Sequence, residues 1–368
     1  MRFLSAGETH GKGILALIDG FPAKLTVDCA LIDSELRRRQ GGYGRGGRQQ
    51  IETDRVEFLA GLWKGQTTGA PLSLWVKNRD EKIDVMPDID APRPGHADLS
   101  GALKYEQPIR PILERASARE TAARVAGGAL CRQILEMFGM RLVGYVRQIG
   151  ELDLTPTTAL SFDEMVSTRN SSAVYSLAPE KEEAAKQLID RNREQGDTLG
   201  GIIEVQVHGV PVGLGSHTQW DQKLDARLAQ AVMSVQAIKA VEFGAGFECA
   251  ILPGSQVHDP IGYGEASGFY RTQNKAGGIE GGMSNGEPIV IRAAMKPIPT
   301  LRKPLASVNL ATKQPHDAAF ERSDVCAVPA ASVVLENAVA IEIADAFLGR
   351  YGNDSVTQIR RAFAFRND

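Results

Sequence analysis

Two of the six histidines lie in short glycine-containing segments. Gly7-Glu8-Thr9-His10-Gly11 flanks an imidazole with residues that permit a sharp turn. Arg93-Pro94-Gly95-His96-Ala97-Asp98 places a second imidazole three residues after an arginine. Imidazole titrates near neutrality, so both are suited to moving protons. Taken singly, each is also what a plain surface turn looks like. Arginines add a second kind of chemistry, because guanidinium forks grip phosphate and carboxylate through paired hydrogen bonds. Arg37-Arg38-Arg39 leads into a Gly/Arg stretch, residues 40–50, that carries Arg45 and Arg48. Three consecutive arginines cannot all face one way on a helix, so some of them are expected in solvent. In Arg115-Ala116-Ser117-Ala118-Arg119-Glu120-Thr121, Ser117 and Glu120 have capping-box spacing. The free N–H groups of a helix start beside two arginines make a ready phosphate site.

Further along, residues 277–286 hold five glycines, which let the backbone approach a flat ring or a phosphate. Lys296-Pro297-Ile298-Pro299-Thr300 follows the next apolar run, and Arg322-Ser323-Asp324-Val325-Cys326 places a candidate base beside an arginine. Together these segments describe several anion clamps, two exposed histidines and a glycine-lined platform. A small phosphorylated acid and a phosphorylated planar cofactor fit that chemistry. Residue types alone do not name the reaction.

The elements that must position these groups alternate along the whole chain. Residues 13–19, 72–76, 140–148, 201–208 and 288–295 read as strands. Asp28–Arg39 reads as a helix with Asp28 as N-cap, and residues 180–195 as a charged surface helix. Ser117–Phe138 reads as a long helix ended by Gly139, and Asp221–Phe243 as another stopped by Gly244. Residues 329–351 suit an amphipathic helix closed by Gly352, and residues 78–98 are Pro- and Asp-rich and irregular. No repeat, linker or compositional break divides the 368 residues, so one α+β unit over 1–368 is expected. No GxGxxG follows a strand, which disfavours a dinucleotide-binding fold.

Composition narrows the class. The net charge of −3 gives no general attraction to nucleic acid or an anionic membrane, so any attraction for anions is local. Four scattered cysteines form no CxxC pair, which speaks against a zinc site or redox dithiol, and no metal is expected. No apolar run reaches the roughly 20 residues that span a bilayer, and no signal segment opens the chain. These features read as a cytoplasmic protein.

The ordered set GETHG, RRRQGGYGR, RPGHAD, RASARET, SVQAIKAVEFG, GGIEGGMSNG, KPIPT and ERSDVCAVPA resembles chorismate synthases from Met1 to the last helix. That resemblance implies a sandwich in which two antiparallel sheets pack between outer helices, assembled as a homotetramer. It implies a lyase that converts 5-enolpyruvylshikimate 3-phosphate to chorismate and phosphate by 1,4-anti elimination. This is the last step of the shikimate pathway, and it needs reduced FMN without net redox change. It implies His10, His96 and Asp324 as proton-moving groups and Arg39, Arg45 and Arg93 as substrate clamps. The flavin is expected against Arg115, Ala116, Ser117, Gln236, Ala237, Gly281, Lys296, Pro297, Ile298, Pro299, Thr300 and Arg322. Three positions depart from the common pattern: Thr9 and Ala116 stand for serines, and Ser323 for histidine. Flavin reduction by NADPH, a second activity of some members, stays open beside a separate flavin reductase. So does a non-catalytic anion- or RNA-binding role, which the net charge and the scarcity of aromatics among the arginines disfavour.

Overall fold

The computed structural model describes residues 1–46, 53–265, 268–321 and 323–367. Arg48 and Arg322 therefore lie outside the described residues.

Two antiparallel sheets form the frame. The first runs β1 (Arg2–Ala6), β2 (Gly13–Asp19), β4 (Leu72–Lys77), β3 (Val56–Ala60) in spatial order. Side chains alternate across it as strand geometry requires. Ile14, Ala16 and Ile18 of β2 and Leu72, Leu74 and Val76 of β4 are buried on one face. The second sheet runs β8 (Ile238–Phe243), β9 (Ile289–Met295), β7 (Gly201–His208), β5 (Arg141–Ile149), β6 (Leu152–Asp153). Its buried row includes Ile203, Val205, Val207, Ile289 and Ile291.

Between the sheets lie α1 (Cys29–Gln40), α4 (Thr121–Glu136) and α8 (Val328–Tyr351). Helix α4 packs on β2 and β4 and also on α8; α8 packs on β5 and β7. Helix α7 (Leu224–Met233) fills the space between α8 and β8. The α+β class and the two antiparallel sheets are as the resemblance implied, but the layers are ordered sheet–helix–sheet. The reason is visible in α8, of whose 24 residues 19 are buried. A helix apolar on all sides is stable only when surrounded. For the same reason α8 is not the amphipathic helix expected from its sequence. It does end at Gly352, whose φ of 95° closes it. The α4–α8 crossing is very close. A Cβ on Gly128 would sit 2.3 Å from the Asn337 carbonyl oxygen, so only glycine fits there. On the far side of the second sheet, α5 (Phe162–Ser171) covers Val143 and Tyr145 with Met165, and the charged helix expected at 180–195 is α6 (Glu182–Glu194).

Two helices read from sequence are shorter in the structure. Asp221–Phe243 divides into α7 and strand β8, because Ile238–Phe243 pairs with β9, and sheet pairing overrides local helix preference. Ala237, with φ 69°, makes the break. Ser117–Phe138 begins as α3 (Ile109–Ala116) ends and passes through a 3-10 turn, Ala118–Glu120, before α4. Ser117 caps that turn, but Glu120 does not complete a capping box. Its carboxylate bonds Ser5, Arg124 and Gln236 instead. A full capping box forms at Ser161 and Glu164. Asp28 caps α1 as expected. No helix among the described residues is long and apolar enough to cross a membrane.

Charge is buried in this core. Glu336 of α8 is fully buried and meets Arg38 at 2.8 Å, Arg132 at 2.9 Å and Arg169 at 2.9 Å. Glu35 joins the cluster through Arg38 and Arg132. Arg38 thus turns inward while Arg37 faces solvent. Burial pushes the Glu35 carboxyl up, but the charges of Arg38 and Arg132, with hydrogen bonds from Arg38 and Asn337, bring it down from 4.5 to about 2. A depressed carboxyl stabilises the fold above its unfolded value and loses that contribution as pH falls through its folded value. Stability should therefore fall as pH drops from 4.5 toward about 2 through the protonation of this group. Urea midpoints measured against pH will show this component in the natural protein and lack it in Glu35→Gln.

Candidate active site

A cavity of about 750 Å³ opens beside the N-terminal end of α8. It is bounded by the turn between β1 and β2, the last turn of α1, the irregular segment after β4 and the α3–α4 junction. Residues 235–237, 295–296 and 298–300 close it.

His10 lies in the β1–β2 turn and is 8% exposed. Glu114 of α3 holds it twice. One carboxylate oxygen accepts the His10 backbone N–H at 2.8 Å, and both lie within 2.9–3.1 Å of Nδ1. Thr9 donates its N–H and its hydroxyl to the Glu114 carbonyl. Thr9 thus keeps a hydroxyl where the resembling family commonly has serine, and uses it to seat the turn. A carboxylate can only accept, so Nδ1 carries the hydrogen and Nε2 is left toward the cavity. Asp80 is 3.7 Å from that Nε2. Burial raises the Glu114 carboxyl, but hydrogen bonds from His10 and the charge of Arg110 hold it below the ordinary range.

His96 is built on the same plan. Its Nδ1 meets Asp98, which is fully buried at the start of α2 (Asp98–Tyr105). Arg93 grips the same carboxylate through Nε at 2.8 Å, Nη2 at 3.0 Å and its backbone N–H at 3.0 Å. It also bonds Thr300 at 2.9 Å. Burial raises Asp98, yet His96 and Arg93 hold it well below the usual carboxylate range. Arg93 is thus largely committed to Asp98, with its Nη2 also 3.1 Å from His96.

Arg39 and Arg119 share Asp54. Arg39 Nη2 lies 2.6 Å from it, and Arg119 Nη1 bonds both oxygens at 2.7 and 2.8 Å. Asp54 is raised by burial and lowered more by the two guanidinium groups. Arg45 pairs with Asp324, which also accepts the Gly46 N–H at 2.7 Å. Among the described residues, the Nε–H groups of Arg39 and Arg45 are buried with no partner, as is Gln236 Oε1. Among the described residues, seven basic side chains line the cavity against three acidic ones. Asp54 and Asp98, which hold three of those cations from behind the wall, reduce the excess to two, so a modest local positive potential remains on a chain whose net charge is −3.

The structure brings together His10, His96, Asp324, Arg39, Arg45 and Arg93 on one wall system. Ala116, Ser117, Gln236, Ala237, Lys296, Ile298, Pro299 and Thr300 join them. Arg115, Pro297 and Gly281 are not on the cavity wall. Arg115 turns outward and bonds Ser5 and Gly7. Gly281 sits in the turn of a hairpin, Ile279–Glu280 with Met283–Ser284, packed against residues 214–224. In that hairpin Gly282 serves packing, since a Cβ there would meet Lys223 Cγ at 2.6 Å, whereas a Cβ on Gly281 would meet nothing within 4 Å. Sequence reasoning missed Glu114 and Asp54, whose partners lie far off in the chain. It saw Arg119 as half of a helix-start phosphate site, whereas the structure gives it a carboxylate to hold.

Comparison with known proteins settles the family. The family profile described as chorismate synthase matches residues 1–348. The chain belongs to the chorismate synthase family. A chorismate synthase of Desulforamulus reducens is 53% identical over 373 residues, covering 98% of this chain and 96% of the relative. That of Pelobacter propionicus is 54% identical over 383 residues, covering 99% and 97%. A crystal structure of a chorismate synthase superposes with a TM-score of 0.82 at 43% identity, covering 99% of this chain and 96% of that one.

Within this chorismate synthase architecture, Arg93→Ala leaves Asp98 buried with only His96 and a backbone N–H for company. Removing one partner of a buried pair costs about 3–5 kcal/mol. Denaturant unfolding should show that loss for Arg93→Ala. It should show a smaller one for Arg93→Lys, whose single ammonium cannot reproduce the fork.

Proposed function

We propose that this chain converts 5-enolpyruvylshikimate 3-phosphate to chorismate and phosphate, with reduced FMN bound beside the substrate. One observation carries the reading: a cavity walled by seven basic side chains, with two buried arginine N–H groups unpaired among the described residues. The substrate carries two carboxylates and a phosphate of about −1.5 to −2 charge, anions that such guanidinium and ammonium groups bind.

Arg39, Arg45 and Arg93 are the proposed substrate clamps. Carboxylates behind Arg39 and Arg93 hold their guanidinium groups in place before any ligand arrives, so little reorganisation accompanies the departure of phosphate. His96 donates a proton toward the leaving phosphate, and His10, its Nδ1–H held by Glu114, takes up a proton at Nε2 and passes it into the cavity. Asp324, released as Arg45 turns to the substrate, assists removal of the ring proton. The small residues Ala116, Ala118 and Ala237 with Ile298 and Pro299 form a low apolar wall suited to a flat ring. Ser117, Gln236, Lys296 and Thr300 offer polar groups around it. These residues fit FMN, and Arg322 joins them by resemblance. Ala116 offers no hydroxyl where the resembling family commonly has serine. Bound reduced FMN supplies the electron density that helps expel phosphate without net redox change. Its reductant is NADPH or a separate flavin reductase, and the assembly a cytoplasmic homotetramer, both carried over from the resemblance.

The test is anaerobic. The purified protein, chemically reduced FMN and the substrate are mixed, and chorismate absorbance and free phosphate are followed together. Equal appearance of both is expected, with turnover reduced about 10²–10⁴-fold in His10→Ala and in His96→Ala. Consumption of NADPH without chorismate would instead point to a flavin reductase. Hydrogen exchange gives a second check: residues 78–95 should gain protection when FMN and substrate bind together. The matching expectation for residues 40–50 falls partly outside the described residues.

A further inference from the structure

The turn that carries His10 has a second anchor besides Glu114. Asn78 follows directly after β4 and is 1% exposed. Its side-chain nitrogen lies 3.0 Å from the Glu8 carbonyl oxygen, 3.0 Å from that of Thr9 and 2.7 Å from that of Gly11. Its backbone N–H donates to Lys12 at 3.0 Å. One residue thus ties down the turn on both sides of the imidazole. Two amide hydrogens serving three carbonyls require a shared, three-centre arrangement, which a primary amide can make. Aspartate has no hydrogen to give, serine has one, and glutamine is a methylene too long for the same seat.

The other end of that amide faces the anion wall. Asn78 Oδ1 accepts from Arg119 Nε at 2.8 Å. Arg119 then forks onto Asp54, and Arg39 closes on the same carboxylate. Asn78, Arg119, Asp54 and Arg39 are 1%, 7%, 1% and 4% exposed, so the chain of bonds runs entirely out of water. Such bonds strengthen one another at low dielectric, and leaving any one unmade is costly. The result is a continuous polar path from the carbonyls around His10 to Arg39. Asn78 itself is not on the cavity wall, so it acts only through its neighbours.

We infer that Asn78 is a positioning residue that sets the distance between the proton-donating His10 and the Arg39–Arg119 anion wall. The inference rests on the proposed lyase reading and adds a specific dependency to it. The amide fixes where His10 Nε2 points relative to a substrate seated on the arginines. Its loss moves the turn without removing a substrate contact. A misplacement of about 1 Å costs on the order of 10²-fold in rate, because proton transfer depends steeply on donor geometry.

The test uses Asn78→Asp, which keeps the shape and the acceptor for Arg119 while abolishing the donors. Asn78→Ala serves as the second variant should the aspartate perturb folding. In the full-length protein with reduced FMN and substrate, kcat should fall about 100-fold while the substrate KM stays within about threefold. In a His10→Ala background the same substitution should cost less than about twofold, because its effect runs through His10. Equal losses in both backgrounds would overturn the inference and make Asn78 a general structural residue, as would an unchanged kcat. A readout independent of turnover separates this from failure of the lyase reading. In protein labelled with ¹⁵N-histidine, the His10 ring signal, assigned by its absence in His10→Ala, should shift in Asn78→Asp. An unmoved signal overturns the inference whether or not the natural protein makes chorismate.

Discussion

The Val328–Tyr351 helix is the constraint on which the architecture depends. Alanine, valine and leucine cover nearly its whole circumference, so it must be enclosed on every side. The second sheet and the helices α1, α4 and α7 provide that enclosure. The enclosure in turn demands close contact, which explains glycine at position 128. It also carries a glutamate, Glu336, into the middle of the protein. Such a charge is tolerated only with partners, and Arg38, Arg132 and Arg169 supply them from α1, α4 and α5. The cluster therefore locks the rotation of α1, and with it the direction of the neighbouring Arg39.

The same rule governs the cavity. Arg39 and Arg119 rest on Asp54, Arg93 on Asp98 and Arg45 on Asp324. Both histidines are also seated on carboxylates, Glu114 and Asp98. Flexible cationic side chains lose much conformational entropy on being held in one place. Here the buried carboxylates hold them before a ligand binds, so a ligand need not order them again. Some positive charge is nonetheless left over, since the basic groups outnumber the acidic ones even with Asp54 and Asp98 counted. The site is rigid in geometry and unsatisfied in charge, which is the combination that favours binding and expelling a multiply charged anion.

Much of this was readable before any coordinates. Local chemistry determined Asp28 as the cap of α1, the alternating strands Gly13–Asp19 and Gly201–His208, and Gly352 as the stop of α8. The motifs that carry the family resemblance also named six groups that the fold assembles around one cavity: His10, His96, Asp324, Arg39, Arg45 and Arg93. These succeed because turns, caps and short motifs express interactions among residues adjacent in the chain. Residue types likewise limited the ligand to an anion.

What only the tertiary structure decided are relations between distant segments. The strand Ile238–Phe243 looks like helix until β9 offers it a hydrogen-bonded neighbour. The glycines of 277–286 read as a ligand platform, and only the structure shows that Gly282 among them is fitted against Lys223 and Ser216. Glu120 has the spacing of a cap, but Ser5, Arg124 and Gln236 draw its carboxylate elsewhere. Glu114 lies 104 residues from His10, and Asp54 lies 65 from Arg119. The energy that pairs buried charges depends on distance in space and on exclusion of water, and a sequence read along its length expresses neither.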